Sequence, residues 1–199
     1  MHRPKLLSGL LFVLALSLLW APAQAATVLQ MNLEEMVDRA DRIFRGTVLD
    51  IREGTVQAGG GTLPTVTYRI QVDESFKGTY DTVKGIQVAE LTMVGKLKNT
   101  QTGATRSLPP IDLPKLEVGR DYLLLTTPRS AVGLSTPVGL GQGTFHVTGK
   151  AGQELAVNLN QNLGLLEGVP GAPVGFAGTP ENGPIAYDTL ASIIRGLVD

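Results

Sequence analysis

The sequence contains no cysteine and only two histidines among its 199 residues. Without cysteine the chain can form no disulfide, no thiolate nucleophile and no Cys-ligated zinc site. One histidine, His2, lies in an N-terminal segment that resembles an export signal, so only His146 remains in the mature chain. A metal site built from several histidines is therefore excluded, whereas a Ser-His-Asp triad is still arithmetically possible.

The first 25 residues have the three parts of a secretory signal. A basic start with Arg3 and Lys5 precedes an apolar run at residues 6–20, and the small residues Ala23 and Ala25 form a cleavage pattern. The run is shorter than the roughly 20 apolar residues of a membrane-spanning helix, and no later segment approaches that length. We expect cleavage after Ala25 and a mature protein, without a membrane span, that is periplasmic or secreted.

The predicted mature chain has no strong excess of charge of either sign. Arg3 and Lys5 are two of the 17 basic residues, and none of the 18 acidic residues lies in the signal, which leaves a net charge of −3. Single-stranded nucleic acid is bound on a basic face with stacking aromatic side chains. We therefore expect no nucleic-acid partner. Four aromatics are expected to face inward, namely Tyr68, Phe76, Tyr122 and Phe145.

Hydrophobic periodicity predicts six strands between two terminal helices. Asn32 and Glu35 have the spacing of a capping box, which predicts a helix over residues 33–40. At the other end, Asp188 is the predicted N-cap of a helix whose apolar stripe needs a partner surface. The stripe consists of Leu190, Ile193, Ile194 and Leu197. The predicted strands cover residues 43–51, 65–76, 85–94, 121–127 and 144–148, with a return strand through Leu155, Val157 and Leu159.

Several strands carry signals about their surroundings. The strand at residues 65–76 alternates strictly, so one set of its side chains is predicted to enter the core. That set is Val66, Tyr68, Ile70 and Val72. Gly46 predicts a bulge or a close approach of another segment. A change of phase between Val88 and Ala89 predicts a further bulge. Residues 122–125 are apolar on both faces, which predicts a central, buried strand.

Stretches rich in glycine and proline separate these elements. We expect a flexible hairpin loop at residues 54–64 and a long loop at residues 96–113. The predicted organisation is a signal at residues 1–25, a β domain at 26–165, a Gly/Pro-rich linker at 166–184 and a docking C-terminal helix at 185–199.

The arrangement of the strands narrows the fold class. No helical segment lies between them, which favours an antiparallel sheet or a small barrel over parallel βαβ units. Closure would protect the strand edges. The predicted fold is therefore mainly β: a small OB-like antiparallel β-barrel with a short N-terminal helix and a C-terminal helix.

Three short motifs follow one another between residues 40 and 127. They are Ala40-Asp41-Arg42-Ile43 with Gly46-Thr47-Val48, Thr67-Tyr68-Arg69-Ile70-Gln71-Val72 with Phe76-Lys77-Gly78, and Val118-Gly119-Arg120-Asp121-Tyr122-Leu123-Leu124. In order and spacing they resemble strands of netrin-like domains, the OB-fold group that includes the tissue inhibitors of metalloproteinases. The closer likeness is to uncharacterised exported bacterial proteins with the same outline.

This resemblance implies an OB fold and leaves protease inhibition as one alternative function. The inhibitors begin with a cysteine whose amine and carbonyl would chelate the metal of the target, and they are rich in disulfides. This chain has no cysteine. The resemblance therefore does not supply the residues of the inhibitory mechanism.

His146 is the only histidine that could act as a general base in the mature chain. With Ser135 or Ser130 from the preceding loop, it would give a serine-type hydrolase. The alternative is a strand residue on a polar face, between Thr144 and Thr148.

Two other patterns suggest chemistry less directly. Asp73 and Glu74 are neighbours on a strand and point to opposite faces. Glu74 is therefore expected at the barrel rim, with a pairing to Lys77 or another base as the alternative. Residues 139–143 are rich in glycine but lack the helix and the Lys-Ser/Thr pair of a phosphate loop, so a tight turn is predicted there.

These observations favour an exported, non-enzymatic binding module that recognises a protein, with a glycan as the second choice. An envelope or secreted protease is one candidate partner. No catalytic, cofactor-binding or metal-binding residue is predicted, and no cofactor is expected. The alternatives are a hydrolase that uses His146 and a protease-inhibitor-like protein.

Overall fold

A computed structural model describes residues 29–98, 105–106, 113–172 and 183–199. The predicted signal at residues 1–25 lies outside these ranges, as do most of the predicted loop at 96–113 and most of the Gly/Pro-rich stretch at 168–184. Within the described ranges the chain forms two helices and an antiparallel sheet of eight strands. The predicted mainly β class is confirmed.

The helices are α1 (Leu33–Arg39) and α2 (Tyr187–Val198). The strands are β1 (Arg42–Ala58), β2 (Gly61–Lys77), β3 (Asp81–Val83), β4 (Ile86–Val94), β5 (Leu97–Lys98), β6 (Thr105–Arg106), β7 (Asp121–Thr126), β8 (Thr144–Thr148), β9 (Leu155–Asn158) and β10 (Ile185–Ala186). Their order in the large sheet is β10-β9-β8-β7-β1-β2-β4-β3, and β5 pairs with β6 in a separate hairpin.

Helix α1 begins where the sequence predicts. The Glu35 backbone N–H donates to Asn32 Oδ1 at 2.9 Å, and the Asn32 backbone N–H donates to Glu35 Oε2 at 3.3 Å. This reciprocal capping box satisfies backbone donors that have no partner inside the helix. The helix ends at Arg39, one residue before the predicted end.

Two hydrophobic cores lie on opposite faces of the sheet. Successive side chains of a strand point to opposite faces, and on β1 Ile43 enters the first core while Phe44 enters the second. The first core includes the buried faces of α1 and α2, and the second lies among β1, β2, β4 and β7. Strand β7 contributes to both cores and is flanked by β1 and β8, which confirms the predicted central strand.

Strand β2 confirms only part of its predicted inward set. Tyr68 and Ile70 are buried in the second core, whereas Val66 and Val72 are half-buried at its margin. Alternation fixes which face points inward. How deeply each side chain is covered depends on the neighbouring strands.

The hairpin predicted at residues 54–64 is confirmed, but its loop is shorter than predicted, because β1 and β2 stay paired up to a tight turn. The turn consists of Gly59 and Gly60, both with positive φ, at 59° and 76°. Two left-handed residues match the twist of a hairpin. Pro64 fits into β2 because its carbonyl points away from β1, toward the end of β4. There it accepts a hydrogen bond from the Gly95 N–H at 2.7 Å.

Gly46 confirms the predicted irregularity in β1, but the bulge predicted in β4 is absent. The register of β1 on β2 shifts between Arg45 and Gly46, and a Cβ at Gly46 would lie 2.1 Å from the Gln71 carbonyl oxygen. Strand β4 pairs with β2 in continuous register. Val88 and Ala89 are buried on opposite faces of one regular strand, and this produces the change of phase in the sequence.

The sheet does not close into a barrel, since among the described strands its order ends at β10 and β3. The free edge of β4 nevertheless meets the segment that follows β7. The Ser135 N–H donates to the Thr92 carbonyl at 2.9 Å. Arg42 and Arg129 both donate from Nη2 to the Glu90 carbonyl, at 3.0 and 3.2 Å. We call this contact between β4 and the segment after β7 the seam.

The C-terminal helix begins earlier in the chain than predicted. Its N-cap is Ala186, which offers no side-chain acceptor, and Asp188 lies within the first turn. An acidic side chain there still favours the positive end of the helix. Of the predicted stripe, Leu190, Ile193 and Ile194 are buried in the first core, and Leu197 packs at its margin. The described start of the predicted linker also contributes buried residues to this core, Leu166 and Val169.

Candidate functional site

The structure places the residues of the candidate hydrolase apart. His146 lies opposite Tyr122 in the ladder of β7 and β8, whereas the Ser135 hydroxyl donates to the Thr127 carbonyl at 2.7 Å. Tyr122 and Thr127 are five residues apart along β7 and the chain that continues it, a distance of about 16 Å at the strand rise of about 3.3 Å per residue. The Ser130 hydroxyl accepts from the Leu134 N–H within its own loop, at 3.0 Å.

His146 instead contacts the ring of a buried tyrosine. The ring centroids of His146 and Tyr122 are 4.7 Å apart, and the rings are tilted by 55°. Tyr122 is fully buried, and burial raises the pKa of its hydroxyl. The hydroxyl accepts from the Glu117 N–H at 3.0 Å, which fixes the ring beneath the imidazole.

Beyond His146 the sheet has an uncovered apolar surface. His146 lies opposite Val157, and Leu155 and Leu159 flank Val157 along the chain. We call these four residues, His146, Leu155, Val157 and Leu159, the open face. Leu155 is 44% exposed and Leu159 is 51% exposed, while His146 and Val157 are half-buried.

The open face is the reverse side of the strands that cover the first core. On β8, Phe145 and Val147 are buried in that core, and on β9 Ala156 is fully buried there. Side chains alternate along a strand, so His146 and Val157 point away from the helices. The alternation of Leu155, Val157 and Leu159 was visible in the sequence. The sequence does not show which of the two faces is covered, because the covering helices are distant in the chain.

A network of charged and aromatic side chains joins the sheet to α2. Arg45 Nε and Nη2 donate to Asp121 Oδ2 at 2.9 and 2.7 Å, and Nη2 also contacts Glu154 at 3.3 Å. The Arg45 guanidinium lies 4.3 Å from the ring centroid of Tyr187, a cation–π contact. Burial opposes the charge of Arg45, but the interactions with Asp121 outweigh it and raise its pKa.

Glu74 belongs to the same network rather than to a free rim. Its carboxylate accepts a hydrogen bond of 2.5 Å from the Tyr187 hydroxyl and pairs with Arg195. The expected rim position is therefore replaced by the alternative, a pairing with another base. The base is not Lys77, whose Nζ donates to the Val37 carbonyl at 3.0 Å.

The glycine-rich stretch at residues 139–143 is a turn that leads into β8. Gly139 has a φ of 57°, and a Cβ at Gly143 would lie 2.6 Å from the Val138 carbonyl oxygen. A strand follows, where a phosphate loop would require a helix. The predicted tight turn is confirmed.

The described ranges contain few other features of a small-molecule site. Within them, no three or more His, Asp or Glu side chains are grouped so that they could hold a metal ion. An open polar depression of ≈ 270 Å³ is lined by Gln30, Asn32, Glu35, Gly164 and Glu167. Neither of the two described helices combines the length and the apolar character that a membrane span needs.

Comparison with known proteins gives no assignment. No protein-family model matches the chain, and no curated protein matches it.

Proposed function

We propose that this chain is an exported, non-enzymatic binding module, and that its open face binds a protein partner in the cell envelope or outside the cell. The observation that supports the proposal is the exposure of Leu155 and Leu159 beside half-buried Val157 and His146. Apolar side chains grouped on one exposed surface are typical of interaction sites. A surface of this kind gains free energy when a partner removes it from water.

The rigidity of the open face also favours binding. Three of its four residues lie on the paired strands β8 and β9, and Tyr122 supports His146 from beneath. Leu159 directly follows β9, and its backbone N–H donates to the Gly141 carbonyl at 3.2 Å. A preformed surface loses little conformational entropy when it binds. An apolar surface suits a protein better than a glycan, and a glycan remains the second choice.

We further propose that β1, β2, β4 and β7 form an OB-like half-barrel around the second core. Two features support this fold. Phe44, Ile70 and Leu91 come from three of these strands and are fully buried together in that core. At the seam, the Ser135 N–H and two arginines satisfy carbonyls of β4, whose edge would otherwise be open. Covered edges protect a sheet from unwanted pairing.

Export and the class of the partner are parts of the same proposal. The predicted signal at residues 1–25 supports a periplasmic or secreted location. An envelope or secreted protease is one candidate partner, on the strength of the resemblance. Inhibition assays with proteases from an envelope fraction test that candidate directly. A loss of hydrolytic activity in His146→Ala would instead support the hydrolase alternative.

The binding proposal is tested by capture from an envelope fraction. The double variant Leu155→Ser with Leu159→Ser should lose the species that the wild type retains. The matched control is Val83→Ser with Ile86→Ser, a cross-strand pair on β3 and β4 that is 36% and 39% exposed. This control removes a similar apolar pair at the opposite end of the sheet. Equal retention by both double variants would contradict the proposal.

A further inference from the structure

At the seam, two arginine side chains converge without a carboxylate partner. Arg42 and Arg129 both donate to the Glu90 carbonyl oxygen, so their guanidinium groups lie side by side. No carboxylate oxygen of the described residues lies within 4.0 Å of either group. Other arginines of the sheet, such as Arg45 and Arg69, each have such a partner.

Arg42 is an unusual side chain for such a position. It is 7% exposed, and arginine is seldom buried without a partner for its charge. Burial, and then the neighbouring Arg129, lower the pKa of Arg42, while Tyr80, Asp41 and Asp81 oppose this change. A guanidinium stays charged at any ordinary pH despite such a shift. The pair therefore holds two positive charges in a partly desolvated place.

The site is fixed by the backbone around it. A Cβ at Gly78 would lie 2.6 Å from Arg42 Cγ, so this glycine leaves the space through which the arginine stem passes. Of the five Arg42 donors, only one on Nη2 bonds to a described residue. Within the described chain, the fully buried side-chain atoms that lack a hydrogen-bond partner are two carboxylate oxygens. No arginine nitrogen is among them. The free Arg42 donors are therefore within reach of solvent, and Arg129 is exposed.

We propose that Arg42 and Arg129 form an anion-binding site at the seam that takes a carboxylate. A carboxylate offers two coplanar oxygens that match the donors of a guanidinium, and it carries a single charge. Asp41 and Asp81 lie close enough to offset part of the positive charge of Arg42, which reduces the advantage of a dianion such as phosphate over a carboxylate. Anion binding at this site can be measured on the isolated protein. The result therefore does not depend on whether the open face binds a partner.

The experiment follows the side-chain Nε–H signals of Arg42 and Arg129 by NMR while sodium acetate replaces sodium chloride at constant ionic strength. We expect both signals to shift and saturate. Arg129→Gln should weaken acetate binding about tenfold, a change of about 1.4 kcal/mol. Its position on an exposed loop keeps the fold intact, which urea unfolding verifies. The control Arg120→Gln, 62% exposed and paired with Glu117, should leave acetate binding unchanged.

Two further titrations complete the test. N-acetylglycine and the amide of N-acetylaspartate present the same group as a chain terminus and as a side chain, and the tighter ligand identifies the source. Sodium phosphate should bind more weakly than acetate. Shifts that do not saturate, equal binding in Arg129→Gln, or tighter binding of phosphate would each overturn the proposal.

Discussion

Tyr187 and Glu74 are 113 residues apart in the chain, and the Tyr187 hydroxyl donates a hydrogen bond of 2.5 Å to the Glu74 carboxylate. The bond joins the first turn of α2 to the end of β2. Burial raises the pKa of Tyr187, and the adjacent Glu74 carboxylate raises it further, so the hydroxyl remains a donor. The attachment of α2 to the sheet therefore has a polar component beside its apolar stripe.

Replacing this donor should destabilise the protein measurably. Tyr187→Phe keeps the ring against Arg45 but removes the hydroxyl. We expect a loss of about 1–3 kcal/mol, because a partly buried carboxylate loses one of its two partners. Urea unfolding at neutral pH measures the change. Arg195→Gln removes the more exposed partner of Glu74 and should cost less than about 1 kcal/mol. A larger effect from Arg195→Gln would mean that the ion pair, not the tyrosine, fixes α2.

Tyr80 makes stability depend on pH in the alkaline range. Burial raises the pKa of Tyr80 to about 12, from 10.0. Its contribution is fully present below pH 10 and is lost as pH rises toward 12, because the unfolded chain releases the proton first. The urea midpoint should therefore fall over this range, and fall less steeply in Tyr80→Phe. Identical slopes for the two proteins would show that Tyr80 does not contribute.

Gly46 is the position in β1 where a side chain should be least tolerated. A Cβ there would lie 2.1 Å from the Gln71 carbonyl oxygen, which belongs to the rigid backbone of β2. We expect Gly46→Ala to cost about 3 kcal/mol or more, since the strands must separate. The control is Gly54→Ala in the same strand, where the nearest atom is the Thr65 hydroxyl oxygen at 3.2 Å. That change should cost less than about 1 kcal/mol.

The buried stripe of α2 predicts that the C-terminal helix stabilises the whole domain. Ile194 is fully buried in the first core, and Ile194→Ala should cost about 2–5 kcal/mol. Deletion of residues 185–199 should lower the unfolding midpoint further. Amide exchange in α2 should be slow in the intact protein. An unchanged midpoint after deletion, together with fast exchange, would mean that the helix is free in solution.

The elements that the sequence predicts well are those determined by neighbouring residues. The capping box at Asn32 needs only Glu35, and the alternation around Tyr68 and Ile70 reflects one strand with one covered face. Residues 122–125 are apolar on both faces because cores lie on both sides of β7. In each case the sequence pattern follows from the burial or hydrogen bonding of residues that are close together in the chain.

The errors arise where a distant segment decides the outcome. Residues 54–64 have the composition of a loop, yet they extend the paired strands β1 and β2, because Gly59 and Gly60 form a tight turn. Glu74 finds its partners on α2, more than 100 residues away. The helices that pack in the first core determine which face of β9, the one with Ala156, is buried. For the same reason the open face could not be located from the alternation of its leucines alone.

If the open face contacts a partner, the methyl NMR signals of its residues change when that partner binds. After a partner has been purified by capture, it is added to protein with labelled leucine, valine and isoleucine methyl groups. We expect the signals of Leu155, Val157 and Leu159 to shift or broaden, while that of Ile86, at the opposite end of the sheet, stays in place. Unchanged signals at Leu155 and Leu159 in a saturated complex would contradict it.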